Sequence, residues 1–257
     1  MKNIKVTLLH HTPLYIASDG ARTCWASQDK SDTAEVLAEA VKQYGDSSDS
    51  IYWQDAELIL KPTIIGPKDL ALIDRVGNQF HHASILEHIS FNFFIDGISR
   101  ACLQELARHR IASLSVKSSR YTLKELKNEP SFKTRVFPED EIEYCFVYER
   151  NRAEQYLVFT DLELVNDASI EGLEKLRNIL SQGVSNDIAK YCMPEAYRTQ
   201  LTWTINLRSL QNFLSLRTDR KALPEIRHLA HLIYDSLPTE AQSLVAHCVK
   251  GGDNATV

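Results

Sequence analysis

The sequence predicts an α+β fold, a single domain in which a mixed or antiparallel sheet is flanked by long helices. Several segments have helical spacing, and the longest helical stretch runs from Pro138 to Ser181. β-Branched and aromatic runs predict a few strands that are not adjacent in the chain, at Ile4–Leu9, Ile89–Ile95 and Thr199–Asn206. A length of 257 residues, 44% of them hydrophobic, suits one large domain.

The first third of the chain combines one strand, two helices and an atypical segment. After the strand Ile4–Leu9, an amphipathic helix is predicted at Ala34–Tyr44, and Ser31–Thr33 supply side chains typical of helix caps. Polar, turn-rich stretches bracket this helix, so residues 27–66 are interpreted as an insertion into the main domain. A second helix is predicted at Asp69–Phe80.

The remaining elements follow the two later strands. The strand at Ile89–Ile95 precedes a helix, and the strand at Thr199–Asn206 precedes three more. The main domain is predicted to span residues 1–250, and residues 251–257 are predicted to form a flexible tail. The four helices are predicted at Ser99–Arg108, Ser209–Leu216, Leu223–Leu237 and Thr239–Val249.

Charge and cysteine content exclude several functional classes. The 29 Lys and Arg residues against 34 Asp and Glu residues give a net charge of −5, which argues against a protein that grips nucleic acid through its overall charge. The five cysteines are scattered without a Cys-x-x-Cys pair, so neither a disulfide framework nor a cysteine zinc site is predicted. No apolar run is long enough for a signal peptide or a membrane span, and a cytoplasmic protein is predicted.

A basic cluster, Arg108-His109-Arg110, is followed by serines and by further cations as far as Tyr121. Guanidinium groups, hydroxyls and exposed backbone N–H groups are the donors that bind a phosphate. The alternative is a solvated basic turn at the end of a helix, where cations favour the helix dipole. Composition alone leaves both interpretations open.

Two further clusters are rich in polar residues. His81-His82-Ala-Ser-Ile-Leu-Glu87-His88 lacks the His-Glu-x-x-His spacing and a third ligand segment, so no metal site is predicted there. Its histidines are either turn residues or cofactor-facing. The segment Asn206–Arg217 places polar side chains on one face of a predicted helix, which fits either a binding site or a solvated face. No Gly-x-Gly-x-x-Gly or Walker loop occurs, which disfavours a Rossmann nucleotide site.

Taken together, the three clusters resemble the flavin-dependent thymidylate synthases, as a divergent subgroup. The signature of that family is Arg-His-Arg, seven residues, then Ser, which stands here as Arg108-His109-Arg110 and Ser118. The supporting motifs occur in the family order, His82-x-Ser84-x-x-Glu87-His88 upstream and Asn206-x-Arg208 to Arg217 downstream. The likeness runs from about Phe80 to Lys221 and is weaker at both ends.

This resemblance implies an enzyme that methylates C5 of the uracil in dUMP to give dTMP. Methylenetetrahydrofolate donates the carbon, FAD carries reducing equivalents, and NADPH reduces the flavin. A guanidinium beside N3 of the uracil would stabilise the negative charge that develops there, so no cysteine nucleophile is needed. The family also implies a homotetramer with shared active sites. The alternative is a nucleotide- or phosphate-binding regulator without turnover.

The resemblance also assigns roles to individual residues. Arg217 and His82 are implied as catalytic residues. Flavin contacts are implied for Ser84, Glu87, Arg108, His109, Arg110, Val116, Asn206, Leu207, Arg208 and Asn212. Contacts with dUMP are implied for Glu105, Arg108, Lys117, Ser118, Ser119, Arg120, Tyr121, Lys190 and Arg217. The chain departs from the common family residues at Glu105, Ser115, Val116, Ser119, Lys190 and Lys221.

Overall fold

The computed structural model describes residues 4–47, 56–136 and 145–251. Four strands form one sheet, and its order is first, second, sixth, third along the chain. The fourth and fifth strands form a separate antiparallel pair, in which Lys133 lies opposite Tyr148. The strands are β1 (Lys5–His11), β2 (Ser90–Ser99), β3 (Ala112–Val116), β4 (Lys133–Val136), β5 (Cys145–Tyr148) and β6 (Arg198–Asn206).

Helices make up most of the remaining described residues, and the predicted α+β class is confirmed. The helix Pro67–Ile73 continues as a π-helical turn over Asp74–Gln79, and a 3₁₀ turn covers Ala83–His88. Within the described ranges, no helix is both long and apolar enough to cross a bilayer. The helices are α1 (Tyr15–Trp25), α2 (Thr33–Ser47), α3 (Ala56–Leu60), α4 (Pro67–Ile73), α5 (Arg100–Leu106), α6 (Ser119–Thr122), α7 (Arg150–Ala153), α8 (Glu163–Ser181), α9 (Asn186–Ala189), α10 (Leu207–Arg217), α11 (Pro224–Asp235) and α12 (Thr239–Val245).

The structure differs from the sequence predictions at several elements. The helical stretch predicted from Pro138 is wrong at β5, where Cys-Phe-Val-Tyr is the aromatic and β-branched composition typical of a strand. Residues 138–144 of that stretch lie outside the described part of the chain. Helix α1 was not predicted, because it begins without a side-chain cap and contains Gly20. Strand β3 was not predicted either, since Ala-Ser-Leu-Ser-Val has no run of large apolar residues.

The capping side chains before α2 serve a different helix from the predicted one. The Asp32 carboxylate accepts hydrogen bonds from the backbone N–H groups of Lys68 (2.9 Å) and Asp69 (3.1 Å), in the first turn of α4. The hydroxyl of Thr33 accepts from the N–H of Gly66 (3.0 Å). The caps of α4 therefore come from a segment more than thirty residues away in sequence.

Contacts between Cα atoms separate the chain into two compact units. Unit 1 comprises Met1–Lys5, Ile95–Arg108 and Leu114–Thr202, and unit 2 comprises Val6–Phe94, His109–Ser113 and Trp203–Val257. The core of unit 1 is apolar and forms where α8 packs on the segments before β4 and after β5. Its buried members include Leu123, Leu126, Phe132, Leu157, Ile170, Leu173 and Leu176.

Aromatic rings line the core of unit 2. Phe91 and Phe93 stack at 6.2 Å between ring centroids, and Phe93 lies 6.0 Å from Trp203. Trp203 meets Phe213 edge-on at 5.1 Å, and Phe213 meets His109 in the same manner at 5.0 Å. Each of these rings except His109 is fully buried, so the series forms a rigid support that ends at a histidine of the Arg-His-Arg motif.

Glu174 of α8 anchors the chain before β4 in unit 1. Its carboxylate accepts hydrogen bonds from the Phe132 N–H (2.9 Å), the Ser131 hydroxyl (3.0 Å) and the Arg177 guanidinium (2.7 and 3.0 Å). Burial alone would raise the pKa of this carboxyl, but the bonds from Arg177, Phe132 and Ser131 outweigh it and hold the pKa below the ordinary 4.5.

We expect Glu174→Gln to lower the free energy of unfolding by about 2 kcal/mol at pH 7, because bonds to an ionised carboxylate are lost. A carboxyl whose pKa is lowered in the folded state stabilises the fold at pH values above its ordinary pKa of 4.5. This stabilisation is lost as the pH falls through the folded-state pKa. The difference from wild type should therefore shrink in acid, measured by urea denaturation at several pH values. Glu163→Gln, at an 84% exposed side chain of the same helix, should leave stability unchanged. A difference that persists in acid would contradict the ionic explanation.

Candidate active site

Arg217 and His109 form a direct pair in unit 2. The Nε of Arg217, the last residue of α10, donates to Nε2 of His109 at 2.9 Å. His109 is 6% exposed and packs edge-on against Phe213. A guanidinium is permanently charged and can only donate, so the ring nitrogen must accept. His109 is therefore neutral, with its proton on Nδ1, and fixes the direction in which Arg217 points.

Helix α10 is oriented by Asn206, whose side-chain oxygen accepts from the Ser209 N–H at 2.8 Å and caps the helix. This start buries Leu207 and Phe213 and leaves Arg208 and Asn212 exposed. Arg208 donates to Glu87 at 2.6 Å. The structure thus brings Glu87, Asn206, Leu207 and Arg208 together, and it directs the exposed side chain of Asn212 away from the core.

A cavity of about 470 Å³ in unit 2 contains His82 and Ser84 in its lining. Its aromatic members, Trp25 and Phe80, are 80% and 62% exposed. The volume and the mixture of apolar and polar side chains are typical of a site for a ring-containing ligand. The remaining lining residues are Ala21, Arg22, Cys24, Ser27, Lys30, Leu72, Arg75, Val76 and Ile85.

Two backbone conformations next to predicted site residues are strained. Ile111, which follows Arg110, has φ 60°, and His81, which precedes His82, has φ 59°. A β-branched residue in the left-handed region costs about 1–3 kcal/mol, and such strain concentrates at functional sites. The side chain of Arg110 is exposed and has no partner among the residues described. The strained turn at Ile111 therefore presents this guanidinium at the surface.

Unit 1 brings the predicted phosphate-binding residues together. Helices α6 and α9 pack on each other, and Arg120 of α6 forms an ion pair with Asp187 of α9 at 2.7 Å. Asn186 donates to the Arg120 carbonyl at 2.7 Å. Ser118 and Ser119 lie at the start of α6, and Lys190 directly follows α9. Within the described residues the two serine hydroxyls make no hydrogen bond and remain available to a ligand.

The other predicted substrate residues of unit 1 are less concentrated. The carboxylate of Glu105 in α5 lies 3.9 Å from the guanidinium of Arg108, just past the end of that helix, and the Arg108 side chain is 75% exposed. Lys117 pairs with Glu125 at 3.6 Å. Tyr121 is 69% exposed, and Val116 is half-buried at the end of β3. Their roles toward dUMP and the flavin stay predictions.

Three features of the site were not found from the sequence. Asp69 is fully buried and pairs with Arg22. The sequence showed only that Asp69 lies at the start of a predicted helix, which does not indicate burial. The strained turn at Ile111 had no sequence signal, because glycine or asparagine usually occupies such a turn. Trp25 lay in a segment of weak resemblance, and an exposed aromatic beside a cavity is recognised only from coordinates.

The donors present fit a flavin. The cavity offers aromatic and apolar surface together with the polar groups of His82 and Ser84, and Arg110, Arg208 and Asn212 add exposed donors. Isoalloxazine needs apolar contact for its rings and hydrogen-bond donors for its carbonyl oxygens, and FAD also carries a diphosphate that guanidinium groups bind. The residues that could hold the cofactor are therefore present in unit 2.

Comparisons with known proteins agree with this chemistry. The family model described as thymidylate synthase complementing protein matches residues 7–241. A flavin-dependent thymidylate synthase of Wolinella succinogenes is 51% identical over 93% of this chain and 96% of its own length, and one from Campylobacter jejuni is 47% identical over 96% and 98%. Thymidylate synthase X from Helicobacter pylori, solved with FAD and dUMP, superposes with a TM-score of 0.73 at 46% identity and covers 97% of this chain and 100% of that one. The chain therefore belongs to the flavin-dependent thymidylate synthase family.

Proposed function

We propose that this chain is a flavin-dependent thymidylate synthase, which methylates C5 of the uracil in dUMP to give dTMP. Methylenetetrahydrofolate is the carbon donor, FAD is the cofactor, and NADPH is the reductant. The observation that carries this proposal is the Arg217–His109 pair, because it places an oriented and permanent positive charge in a chain 46% identical to a protein solved with FAD and dUMP.

The role of Arg217 follows from the chemistry of the uracil ring. For C5 to act as a nucleophile, negative charge must develop on N3 and on the carbonyl oxygens. A guanidinium beside N3 stabilises that charge, and it does so best when its orientation is fixed before the reaction. The neutral ring of His109 provides the orientation, since it accepts the Nε–H of Arg217.

When bound and reduced, FAD supplies the reducing equivalents for the new methyl group. His82 and Ser84 would contact it in the cavity, while Arg110, Arg208 and Asn212 would donate to its polar atoms. No activated thiolate is required of the chain. Cys102 is buried in an apolar setting, and burial raises the pKa of Cys248. Neither of these thiols is therefore activated as the thiolate that would attack C6.

For the phosphate of dUMP, we assign the cluster formed by Ser118, Ser119, Arg120 and Lys190. Within the described part of the chain the two hydroxyls make no hydrogen bond, and Arg120 lies on α6, which packs on α9 next to Lys190. Arg120 already pairs with Asp187, with exposed side chains on both partners. An exposed pair of this kind is worth about 0–1 kcal/mol, so a phosphate can share or replace the carboxylate.

The test of the proposed function uses the purified chain with its cofactor and substrates. We expect flavin absorbance, bleaching of that absorbance by NADPH, and release of tritium from C5-labelled dUMP when methylenetetrahydrofolate is present. A chain that binds FAD and dUMP but releases no tritium would be the regulator without turnover. A chain that binds neither would contradict the proposal.

Ser118→Ala is expected to raise the Kd for dUMP about tenfold, because one hydrogen bond to a charged phosphate is lost. Its kcat at saturating dUMP should change less than about threefold, since the hydroxyl binds the same group before and during the reaction. Calorimetric titration and tritium release measure the two effects. Ser169→Ala is the matched control, because the described hydrogen bond of this hydroxyl lies within α8. Abolished chemistry with intact binding would instead indicate a nucleophilic serine.

We also propose a cytoplasmic homotetramer with shared active sites, in which residues 1–250 form one catalytic domain, residues 27–66 an insertion and residues 251–257 a flexible tail. Exposed apolar side chains in unit 1 support association of like subunits, since large exposed apolar residues mark interfaces. Leu164 and Tyr191 are each 84% exposed, and Ile188 is 63% exposed. Light scattering should give four times the mass of 29.2 kDa.

A further inference from the structure

A buried carboxylate, Asp69, organises the beginning of the insertion. Asp69 has no exposed surface, and Arg22 is only 5% exposed. Arg22 donates to Oδ1 of Asp69 through Nε (2.8 Å) and Nη2 (2.5 Å). The hydroxyls of Ser31 and Thr33 both donate to Oδ2 at 2.5 Å. The Thr33 N–H also donates to Oδ2 at 3.3 Å, so each carboxylate oxygen accepts at least two hydrogen bonds and the charge is paired despite its burial.

A second set of bonds joins residues 32–33 to the start of α4. Asp32 caps the first turn of α4, and the Thr33 hydroxyl accepts from the N–H of Gly66. The fit at Gly66 leaves no space for a side chain, because a Cβ there would lie 2.2 Å from Oδ1 of Asp32. The start of the insertion is therefore held firmly against α4.

This network joins two groups of residues that line the 470 Å³ cavity. The first group comes from the end of α1 and the residues after it, and comprises Ala21, Arg22, Cys24, Trp25, Ser27 and Lys30. The second group includes Leu72 of α4 and Arg75 and Val76 of its π-helical extension. Asp69 belongs to α4, whereas its partners Arg22, Ser31 and Thr33 belong to α1 and to the segment that follows it.

Arg22 extends this connection to the rim of the cavity. Its Nη1 donates to the carbonyl of Ser27 at 3.2 Å. Ser27 follows Ala26, the residue after α1, which has the left-handed conformation with φ 47°. One guanidinium thus links Asp69 to the turn that carries Trp25 and Ser27.

We propose that Asp69 is a positioning residue that sets the width of the flavin-binding cavity by clamping Arg22 and the start of the insertion onto α4. The proposal rests on the proposed function, in which His82 and Ser84 of this cavity contact FAD. It gives residues 27–33 a defined task, the attachment of one side of the cofactor site. Hydrogen bonds from Ser31, Thr33 and Arg22 outweigh burial and keep the pKa of Asp69 below its ordinary value, so the clamp is ionised at neutral pH.

The test measures the release of FAD when the holoenzyme is diluted. The recovery of flavin fluorescence monitors this release. Asp69→Asn keeps the shape of the side chain and removes its charge. We expect the Kd for FAD to rise about tenfold, the effect of losing one charge-assisted hydrogen bond. The binding stoichiometry and the kcat at saturating FAD should remain near wild type. Asp29→Asn, an exposed carboxylate in the same segment, should leave the Kd unchanged.

The stoichiometry separates positioning from general destabilisation. A merely weakened fold would lower the fraction of chains that bind FAD without changing the Kd of the remainder, and that result would overturn the proposal. An unchanged Kd in Asp69→Asn would also overturn it. If Asp69→Asn does not fold, Arg22→Lys decides, because it keeps the charge but loses the bond to Ser27, and an unchanged Kd there would reject the clamp. Failure of the wild-type chain to bind FAD would instead reject the proposed function.

Discussion

Arg217→Ala is expected to lower kcat/KM for dTMP formation by about 10²–10³-fold, the usual effect of removing one preorganised donor from developing negative charge. The side chain lies at the end of α10, and its bond to His109 fixes the orientation of the guanidinium before the reaction. Tritium release from C5-labelled dUMP measures the loss. Flavin absorbance of the purified variant should persist, because the cavity near His82 and Ser84 does not include Arg217.

Two further variants control this result. Arg217→Lys keeps the positive charge but lacks the planar fork, and we expect it to retain more activity than Arg217→Ala and less than wild type. Arg227→Ala removes a guanidinium from α11 whose one described hydrogen bond is a long contact of 3.4 Å, and it should behave as wild type. Turnover of Arg217→Ala near the wild-type rate would contradict the assigned role.

The sequence indicated which residues form the candidate site, but their arrangement comes from the structure. The family resemblance implied roles for the Arg-His-Arg motif and the segment Asn206–Arg217. The apolar spacing of α10 correctly predicted that Leu210, Phe213 and Leu214 are buried, but it was wrong at Leu216, which is 54% exposed. The contact between His109 and Arg217 joins positions 108 residues apart. No local pattern specifies such a contact, because it depends on how the aromatic core of unit 2 packs.

The sequence did not predict the elements and contacts that depend on tertiary structure. Asp32 is a residue type typical of helix caps and directly precedes α2. Its carboxylate instead accepts hydrogen bonds from the N–H groups in the first turn of α4. Any free helix start can accept such a cap, so sequence proximity does not decide between them. The left-handed conformation of Ile111 is similarly invisible in the sequence, because the surrounding structure imposes it against local preference.

The predicted flavin contacts of Glu87 and Arg208 take a different form in the structure. The two side chains pair with each other at 2.6 Å and are about half exposed. An ion pair this exposed contributes about 0–1 kcal/mol, so it costs little to open. The pair is therefore compatible with a ligand that takes over one partner, and a contact with FAD remains a proposal for both residues.

His109→Phe is expected to lower kcat about 100-fold while leaving the fold intact. The phenyl ring can keep the edge-on contact with Phe213, so packing is retained. The acceptor for the Arg217 Nε–H is lost, and with it the bond that orients the guanidinium. Misplacement of a catalytic group by about 1 Å costs about 10²-fold in rate. Single-turnover formation of dTMP measures the effect, with thermal denaturation as the check on folding.

His109→Gln distinguishes positioning from any proton transfer by the histidine. The Gln side-chain oxygen can accept from Arg217 near the place of Nε2, but an amide neither gains nor releases a proton at neutral pH. If His109 only orients Arg217, the rate of His109→Gln should be about tenfold higher than that of His109→Phe. Equal losses in the two variants would mean that the imidazole itself transfers a proton. His247→Phe, at an exposed ring in the same unit, should leave kcat unchanged and shows that the loss is specific to the ring that holds Arg217.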